Sequence, residues 1–355
     1  MTGRPILITG GAGFIGSNLA DRLASQGHRV RVLDALSRPG STRNLEWLCD
    51  RHGDAIEFVI GDVRDAATVA KATRGIAAAF HFAAQVAVTS SLEAPRDDLE
   101  INVLGTFNLL EALRAMAPGA PLIFASTNKV YGDLVRMNIR ARPEGFSPAD
   151  PLLAEHGVPE SQPLDFHTPY GCSKGSADQY VLDYARSYGM RAAVLRMSCI
   201  YGQRQMGTED QGWVAHFLIN ALSGEPITIF GNGLQVRDVC DVSDTCEAYM
   251  AMLARIDTVS GKALNWGGGP ANAVSLLTVI EEIGRITGSK PEVEFAPWRP
   301  GDQRWFVADT RAADAALTLA PRKPWRDGLS ALAGWLQREH PTIAAGRETL
   351  RTVAS

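Results

Sequence analysis

The stretch ITGGAGFIGSNLA, residues 8–20, decides the fold. An apolar run ends at Thr9, glycines follow at positions 10, 11, 13 and 16, and a helical pattern runs over residues 14–26. Glycine is needed where a chain turns tightly, where backbone N–H groups approach a pyrophosphate, and where a helix packs close to a strand; the helix N-terminus then favours the anion. Alone, the spacing Gly10, Gly13, Gly16 also fits a glycine-rich turn without a ligand. The context argues otherwise. Working outward, the short apolar runs RVRVLD, IEFVIGD, AAAFHFAA and PLIFAST alternate with helical patterns, the clearest over residues 99–116 and 173–188, the latter followed by RAAVLRMS. Such alternation predicts right-handed βαβ units and an α/β fold, a Rossmann-type doubly wound parallel sheet.

Asp34 ends the second predicted strand, eighteen positions after Gly16. A carboxylate there accepts hydrogen bonds from an adenosine ribose and repels a 2′-phosphate, which favours NAD over NADP. Arg38 and Arg43 follow closely and would tolerate a phosphate. Asp62, in GDV after the third strand, is placed either to accept from the adenine amino group or to cap the next helix.

After about residue 200 the pattern loosens, with helices predicted near 213–222 and 275–287 and short strands between them. We therefore expect an NAD-binding domain over 1–200 and a smaller C-terminal α/β substrate-binding region over 201–340, some of whose segments return to the core. Residues 134–167 form a long Pro-containing excursion with little periodicity, expected as a lid over the substrate. LSALAGWLQREH, from residue 329, predicts an amphipathic helix, and 341–355 a flexible tail.

The 355 residues are 45% hydrophobic and 21% charged with a net charge of -4, an ordinary globular balance. No basic patch points to nucleic acid and no polybasic segment to a membrane surface. MTGRPILITGG runs straight into a strand without the features of a signal peptide, so a cytoplasmic location is expected. The cysteines, Cys49, Cys172, Cys199, Cys240 and Cys246, form no C-x-x-C pair. They predict reduced thiols, buried or partly buried, without a disulfide framework or a metal site.

Tyr170 and Lys174 form a Y-x-x-x-K pair that puts both side chains on one helical face. An ammonium beside the phenol favours phenolate and makes a general base of a group that is otherwise too weak. The lysine can also hold the nicotinamide ribose. Thr127 closes the fifth strand, where its hydroxyl can share a proton with substrate and tyrosine.

TGGAGFIG, HFAAQVA, INVLGTFNLLEA, STNKVYGD, YGCSKGSADQY, GNGLQVRDV and GDQRWFVAD, spread over nearly the whole chain, resemble the extended short-chain dehydrogenase/reductase family of nucleotide-sugar-modifying enzymes, the NAD-dependent epimerases and dehydratases. Within it, STNKVYGDL, LDFHTPYGCSKG and QGW are most similar to the branch that inverts C2 of CDP-linked 3,6-dideoxyhexoses for cell-surface polysaccharides. The resemblance implies a nucleotide-diphosphate sugar as substrate, NAD as cofactor, a catalytic triad of Thr127, Tyr170 and Lys174, and a homodimer formed by helices near 99–116 and 173–188. It implies cofactor contacts at Gly10, Gly13, Phe14, Ile15, Gly16, Asp34, Asp62, Val63, Ala83 and Lys174.

Dehydratases of this family place Asp and Glu directly after the catalytic Thr, because eliminating water requires an acid and a base; here those positions are Asn128 and Lys129. An amide does not relay a proton and an ammonium is no base unless its pKa falls. Both are expected to orient the sugar or a ketone oxygen, the plain alternative being that Lys129 points to solvent. Arg237 and Arg304 match family positions that contact the diphosphate, with salt bridges to Asp238 or Asp302 as the alternative. Gln85 and His167 are expected near the sugar, His167 also fitting a structural hydrogen bonder. Trp213 either flanks substrate or packs its helix. Cys199 stands where many members carry Asn, and a thiol is a poorer hydrogen bonder, which changes the sugar hydroxyls that can be read. A 4-epimerase of a UDP-sugar would use the same triad, and a regulatory NAD-binding protein would need only the scaffold.

Overall fold

The computed structural model describes residues 3–340; the expected tail, 341–355, lies outside them. The first half runs β1 (Ile6–Thr9), α1 (Phe14–Ser25), β2 (Val30–Asp34), α2 (Ser41–His52), β3 (Ile56–Ile60), α3 (Ala66–Thr73), β4 (Ala78–His81), α4 (Val88–Glu93), α5 (Pro95–Leu99), α6 (Gly105–Met116) and β5 (Leu122–Thr127). Next come β6 (Ile139–Arg142), β7 (Gly145–Pro148), α7 (Pro151–His156), α8 (Thr168–Tyr188) and β8 (Ala192–Met197). The second half holds β9 (Cys199–Tyr201), α9 (Trp213–Ser223), β10 (Ile227–Phe230), β11 (Val236–Asp241), α10 (Val242–Ala254), α11 (Ile256–Val259) and β12 (Ala263–Trp266). It ends with β13 (Ala273–Ser275), α12 (Leu276–Thr287), β14 (Val293–Ala296), β15 (Trp305–Phe306), α13 (Arg311–Leu317) and α14 (Trp325–Glu339).

Seven strands form one parallel sheet in the order β12-β8-β5-β4-β1-β2-β3. Its central strands are buried on both faces, which is why they read as continuous apolar runs rather than alternating ones. One face is covered by Leu19 and Leu23 of α1, Leu48 of α2 and Tyr249 and Met252 of α10. The other is covered by Val69 of α3, Leu109 and Leu113 of α6 and Val181 and Tyr184 of α8. Two elements of the second half, β12 and α10, thus complete the sheet and its cover. The remaining strands β9, β11, β13 and β15 pair with one another, β10 pairs with β14, and α9, α12 and α14 share a further core with them around Leu218, Ile280 and Trp335.

Residues 134–167 depart from the expected lid. They form a β6–β7 hairpin and α7, and none of them lines the cleft described below. Phe146 and Val158 pack with Val236, Trp305 and Phe306, and Val158 bonds through its backbone to Val307 (2.7 Å) and Asp309 (3.0 Å). The excursion is therefore bound to the far side of the second region. Its hairpin turns at Pro143 and Glu144, between the paired Arg142 and Gly145, a turn signal that weak flanking periodicity obscured.

Two other expectations change. The helix expected over 99–116 divides into α5, one wider π-type turn at Glu100–Leu104, and α6. Cys49 and Cys172 are exposed rather than buried, because they lie on outward faces of α2 and α8, and none of the five thiols forms a disulfide. No helix among the described residues is long and apolar enough to cross a membrane.

Candidate active site

A cleft of about 540 Å³ opens at the carboxyl ends of the parallel strands, where the strand order reverses between β1 and β4. Ligands of open α/β sheets bind at such a point. Gly10 has φ +69°, and a Cβ on it would lie 2.6 Å from the Ala83 nitrogen; a Cβ on Gly16 would lie 2.2 Å from the Gly10 carbonyl oxygen. Only glycine permits this approach. No side chain caps α1, whose first turn faces the cleft through Gly13, Phe14, Ile15 and Gly16, so its N–H groups and positive dipole end remain for an anion. Asp34 accepts from the backbone N–H groups of Ala12 (3.0 Å) and Leu36 (2.8 Å), and burial raises its pKa despite them. Asp62 lines the cleft beside Val63 and Ala83, paired with Arg64 at 2.7 Å, while the cap of α3 is Asp65. The capping alternative for Asp62 thus falls away. Arg38 lines the cleft, whereas Arg43 donates to the Glu339 carbonyl.

Asn44 was not foreseen. It is buried, donates from Nδ2 to the carbonyls of Ala12 and Arg204 (3.2 Å each), and leaves Oδ1 without a partner in the cleft wall. A buried unpaired acceptor, a glycine cradle and an uncapped helix end together fit a dinucleotide.

Thr127 closes β5 and lines the cleft. Across from it α8 begins at Thr168, five residues earlier than the sequence pattern indicated, with Thr168 at φ +62°. A β-branched residue in that region is strained, and here it delivers Tyr170 into the first turn. The phenol is buried, and the Thr127 hydroxyl opposes the rise that burial imposes on its pKa. Lys174, one turn on, donates to the Ala125 carbonyl at 2.6 Å and lies 4.2 Å from the centre of the Phe124 ring.

The electrostatics correct the expected lowering of the tyrosine. Burial pushes the Tyr170 phenol up to about 12, against the opposing pull of Thr127 and Arg38. Burial also lowers the Lys174 ammonium to about 7, although Asp178 and Asp98 favour its charge. The reason is desolvation: in so enclosed a site it outweighs the neighbours present. Beneath the triad, Asp178 of α8 makes a two-pronged pair with Arg196 of β8 (2.9 Å each) and accepts from Ser126 of β5 at 2.7 Å. This buried network holds α8 against β5 and β8, and only the position of Asp178 one turn after Lys174 hinted at it.

On the opposite wall, Asn128 is buried and donates from Nδ2 to Gln303 Oε1 at 2.9 Å, while Thr127 donates to its Oδ1 at 3.3 Å. Lys129 does not point to solvent. It lines the cleft, donates to the Gly301 carbonyl at 3.1 Å and lies 3.8 Å from Asp302; burial lowers its pKa, with Asp302 opposing. Arg237 lines the cleft but already pairs with Asp302 at 2.7 Å and donates to the carbonyls of Val236 and Gln303. Cys199 lines it too, accepting from Trp213 Nε1 at 3.4 Å, and burial raises the thiol pKa. Trp213 both borders the cleft and packs edge-on against Phe217.

Three expected contacts lie elsewhere. Arg304 is exposed, its guanidinium over Phe146 and Trp298 outside the cleft. It follows the buried Gln303 on a chain that turns into β15, so its side chain faces away; Arg299, five residues earlier in the same loop, is the arginine that lines the cleft. Gln85 is turned back onto the Ala87 carbonyl at 2.9 Å, its backbone held by Asn102 of the π-type turn. His167 sits between Asp133 (3.3 Å) and Asp165 (3.2 Å), away from the cleft.

The profile of the NAD dependent epimerase/dehydratase family matches residues 6–267. The chain belongs to this family. It is 42% identical over 337 residues to CDP-paratose 2-epimerase of Salmonella typhi, covering 93% of this chain and 98% of that one. Among solved structures, UDP-glucose 4-epimerase of Thermotoga maritima with UDP-glucose superposes with a TM-score of 0.80 at 29% identity, covering 94% of this chain and 99% of that one. UDP-glucose 4-epimerase of Thermus thermophilus in complex with NAD gives 0.77 at 30% identity with the same coverage. The cofactor of this family member is NAD, and the cradle at Gly10, Gly13 and Gly16 is the part of the cleft that fits it.

Proposed function

We propose that the protein inverts C2 of a CDP-linked 3,6-dideoxyhexose by oxidation to a ketone and re-reduction with bound NAD. The observation that carries the reading is the Thr127–Tyr170–Lys174 group in one cleft with the glycine cradle, bordered by Asn128 and Lys129 where an eliminating enzyme needs an acid and a base. The similarity to CDP-paratose 2-epimerase supports the choice of nucleotide and carbon.

NAD would be held by the N-terminus of α1, Asp34, Asp62 and Lys174, and when bound it supplies a hydride acceptor and a positive charge at the nicotinamide. That charge favours the Tyr170 phenolate where desolvation alone opposes it. Tyr170 then takes the sugar hydroxyl proton at its phenolic oxygen and returns it after the sugar has presented its other face, with Thr127 holding the same oxygen. Lys129 steadies the sugar or its ketone oxygen, and Asn128, braced by Gln303, holds Thr127 in place. Arg237 and Arg299 meet the diphosphate; Cys199 and Trp213 make a weakly polar wall against the deoxy positions.

We also assign it a homodimeric, cytoplasmic role in making precursors of surface polysaccharide. Leu99, Leu104 and Phe107 of the α5–α6 segment and Tyr180 of α8 are 52%, 49%, 41% and 46% exposed on neighbouring helices, an apolar face suited to a two-fold contact.

The test is incubation with CDP- and UDP-sugars in deuterated water, followed by NMR. Inversion at C2 of the CDP-dideoxyhexose with no solvent deuterium at that carbon is expected. Deuterium there would mean proton abstraction and overturn the mechanism, inversion at C4 of a UDP-sugar would overturn the substrate, and no turnover with NAD bound would favour a regulatory protein.

A further inference from the structure

After β9 and Gly202 the chain leaves the sheet, and residues 203–212 run along the cleft, touching both of its ends. The two halves of this segment are attached very differently. In the first, Asn18 of α1 donates to the Gln203 carbonyl at 2.9 Å and Asn44 of α2 to the Arg204 carbonyl at 3.2 Å. The Arg204 guanidinium stacks 3.8 Å from the centre of the Trp47 ring of α2 and 5.6 Å from that of Trp335 of α14, from a backbone held at φ +68°. Met206 lies on Gly40, so close that a Cβ there would be 2.4 Å from its Cγ. In the second half Arg299 ties the segment to the opposite wall, at 2.7 Å to the Glu209 carboxylate, 3.0 Å to the Glu209 carbonyl and 4.0 Å to Asp210, from a side chain 25% exposed to carboxylates 55% and 44% exposed. Exposed ion pairs of this kind hold weakly.

We propose that residues 203–206 are a bolt that retains NAD between turnovers, while residues 207–212 open to exchange the nucleotide sugar. The bolt joins the cleft to α1 and α2, the helices on either side of the Asp34 end of the cradle, and is held by Asn44, which lines the same cleft. Leaving the cradle requires parting two amide hydrogen bonds, a stacked guanidinium and the Met206–Gly40 contact together. Opening the other half requires parting the bonds of one part-exposed arginine, Arg299. The inference rests on the internal hydride return proposed above, because a reduced cofactor that escaped would strand a ketone.

The experiment is exchange of bound NAD for added isotope-labelled NAD, read by mass spectrometry after rapid desalting. Asn18→Ala/Arg204→Ala should exchange about tenfold faster than the parent or more, and Glu209→Ala within about twofold of it. Met206→Ala, which removes only the contact on Gly40, should also exchange faster and serves if the double variant does not fold. Equal exchange in the parent and the bolt variants, or an equal acceleration in Glu209→Ala, would overturn the proposal. Faster exchange in the bolt variants of a protein that turns over no sugar would support the bolt and remove the epimerase reading; sugar turnover with unchanged exchange in the same variants would remove the bolt alone.

Discussion

The two ends of the cleft are made of different material. At the cofactor end the wall is backbone: glycines at 10, 13 and 16, the first turn of α1, and strand ends that place Asp34 and Asp62. At the end proposed for the sugar it is side chains drawn from distant segments, and they are already joined to one another. Asn128 is tied to Gln303, and Lys129 and Arg237 both meet Asp302. A backbone site depends on turn geometry and is specified by a short motif. A side-chain site depends on which charges find each other, and a ligand entering it must compete with the pairs already made.

The difference can be broken most directly at Tyr170, the proposed base. Tyr170→Phe should lower kcat about a thousandfold, since the proton transfer loses its base, while the purified protein keeps its NAD. Loss of NAD with activity would show that the ends are not separable. Next in size, Arg299→Ala should raise KM for the nucleotide sugar about tenfold or more by removing a charged partner of the diphosphate, while Arg304→Ala leaves KM within about twofold. Steady-state kinetics decide it. The reverse ranking would return the diphosphate to Arg304 and imply that the loop around Pro300 rearranges.

The smallest effect sharpens the comparison through pH. Lys174 is lowered by burial from 10.5 to about 7 in the folded protein. The unfolded chain therefore binds more protons between about pH 7 and 10.5, and the native state gains stability as pH rises through that window. Below about pH 7 the burial of the ammonium opposes folding in full. Lys174→Met removes this term, so relative to the parent it should gain more stability at pH 7 than at pH 10 in urea unfolding of cofactor-depleted protein. An equal difference at both values would mean that the ammonium is not desolvated.

Much of the first half could be read beforehand because its signals are local. The strands are short, apolar and evenly spaced, and each helix between them carries one buried face. Helix α8 began earlier than its pattern because Thr168 and Pro169 start it without an apolar repeat. Residues 134–167 misled for the opposite reason. Their hydrophobic residues are irregularly spaced, since those that are buried, among them Leu134, Phe146 and Val158, fill gaps against Trp305, Phe306 and Val307 rather than forming a stripe of their own, while Val135 and Leu152 are exposed. Arg304, expected at the diphosphate, lies outside the cleft, while Arg299 of the same loop lines it, because a sequence does not say which of two loop side chains faces inward.

By itself the sequence determined the parallel sheet, the glycine cradle, the acid at the end of β2 and the Tyr170–Lys174 pair on one helical face, because backbone turns and helical spacing constrain those residues within a few positions; that Thr127 of β5 meets them was left to the fold. Only the tertiary structure decided that Asn128 is braced by Gln303, that Arg237 and Lys129 share Asp302, that burial raises Tyr170 against Thr127 and Arg38, and that residues 203–206 are held by Asn18, Asn44 and Trp47. These depend on contacts between residues far apart in the chain and on how much water the fold excludes from them, and no local pattern encodes either.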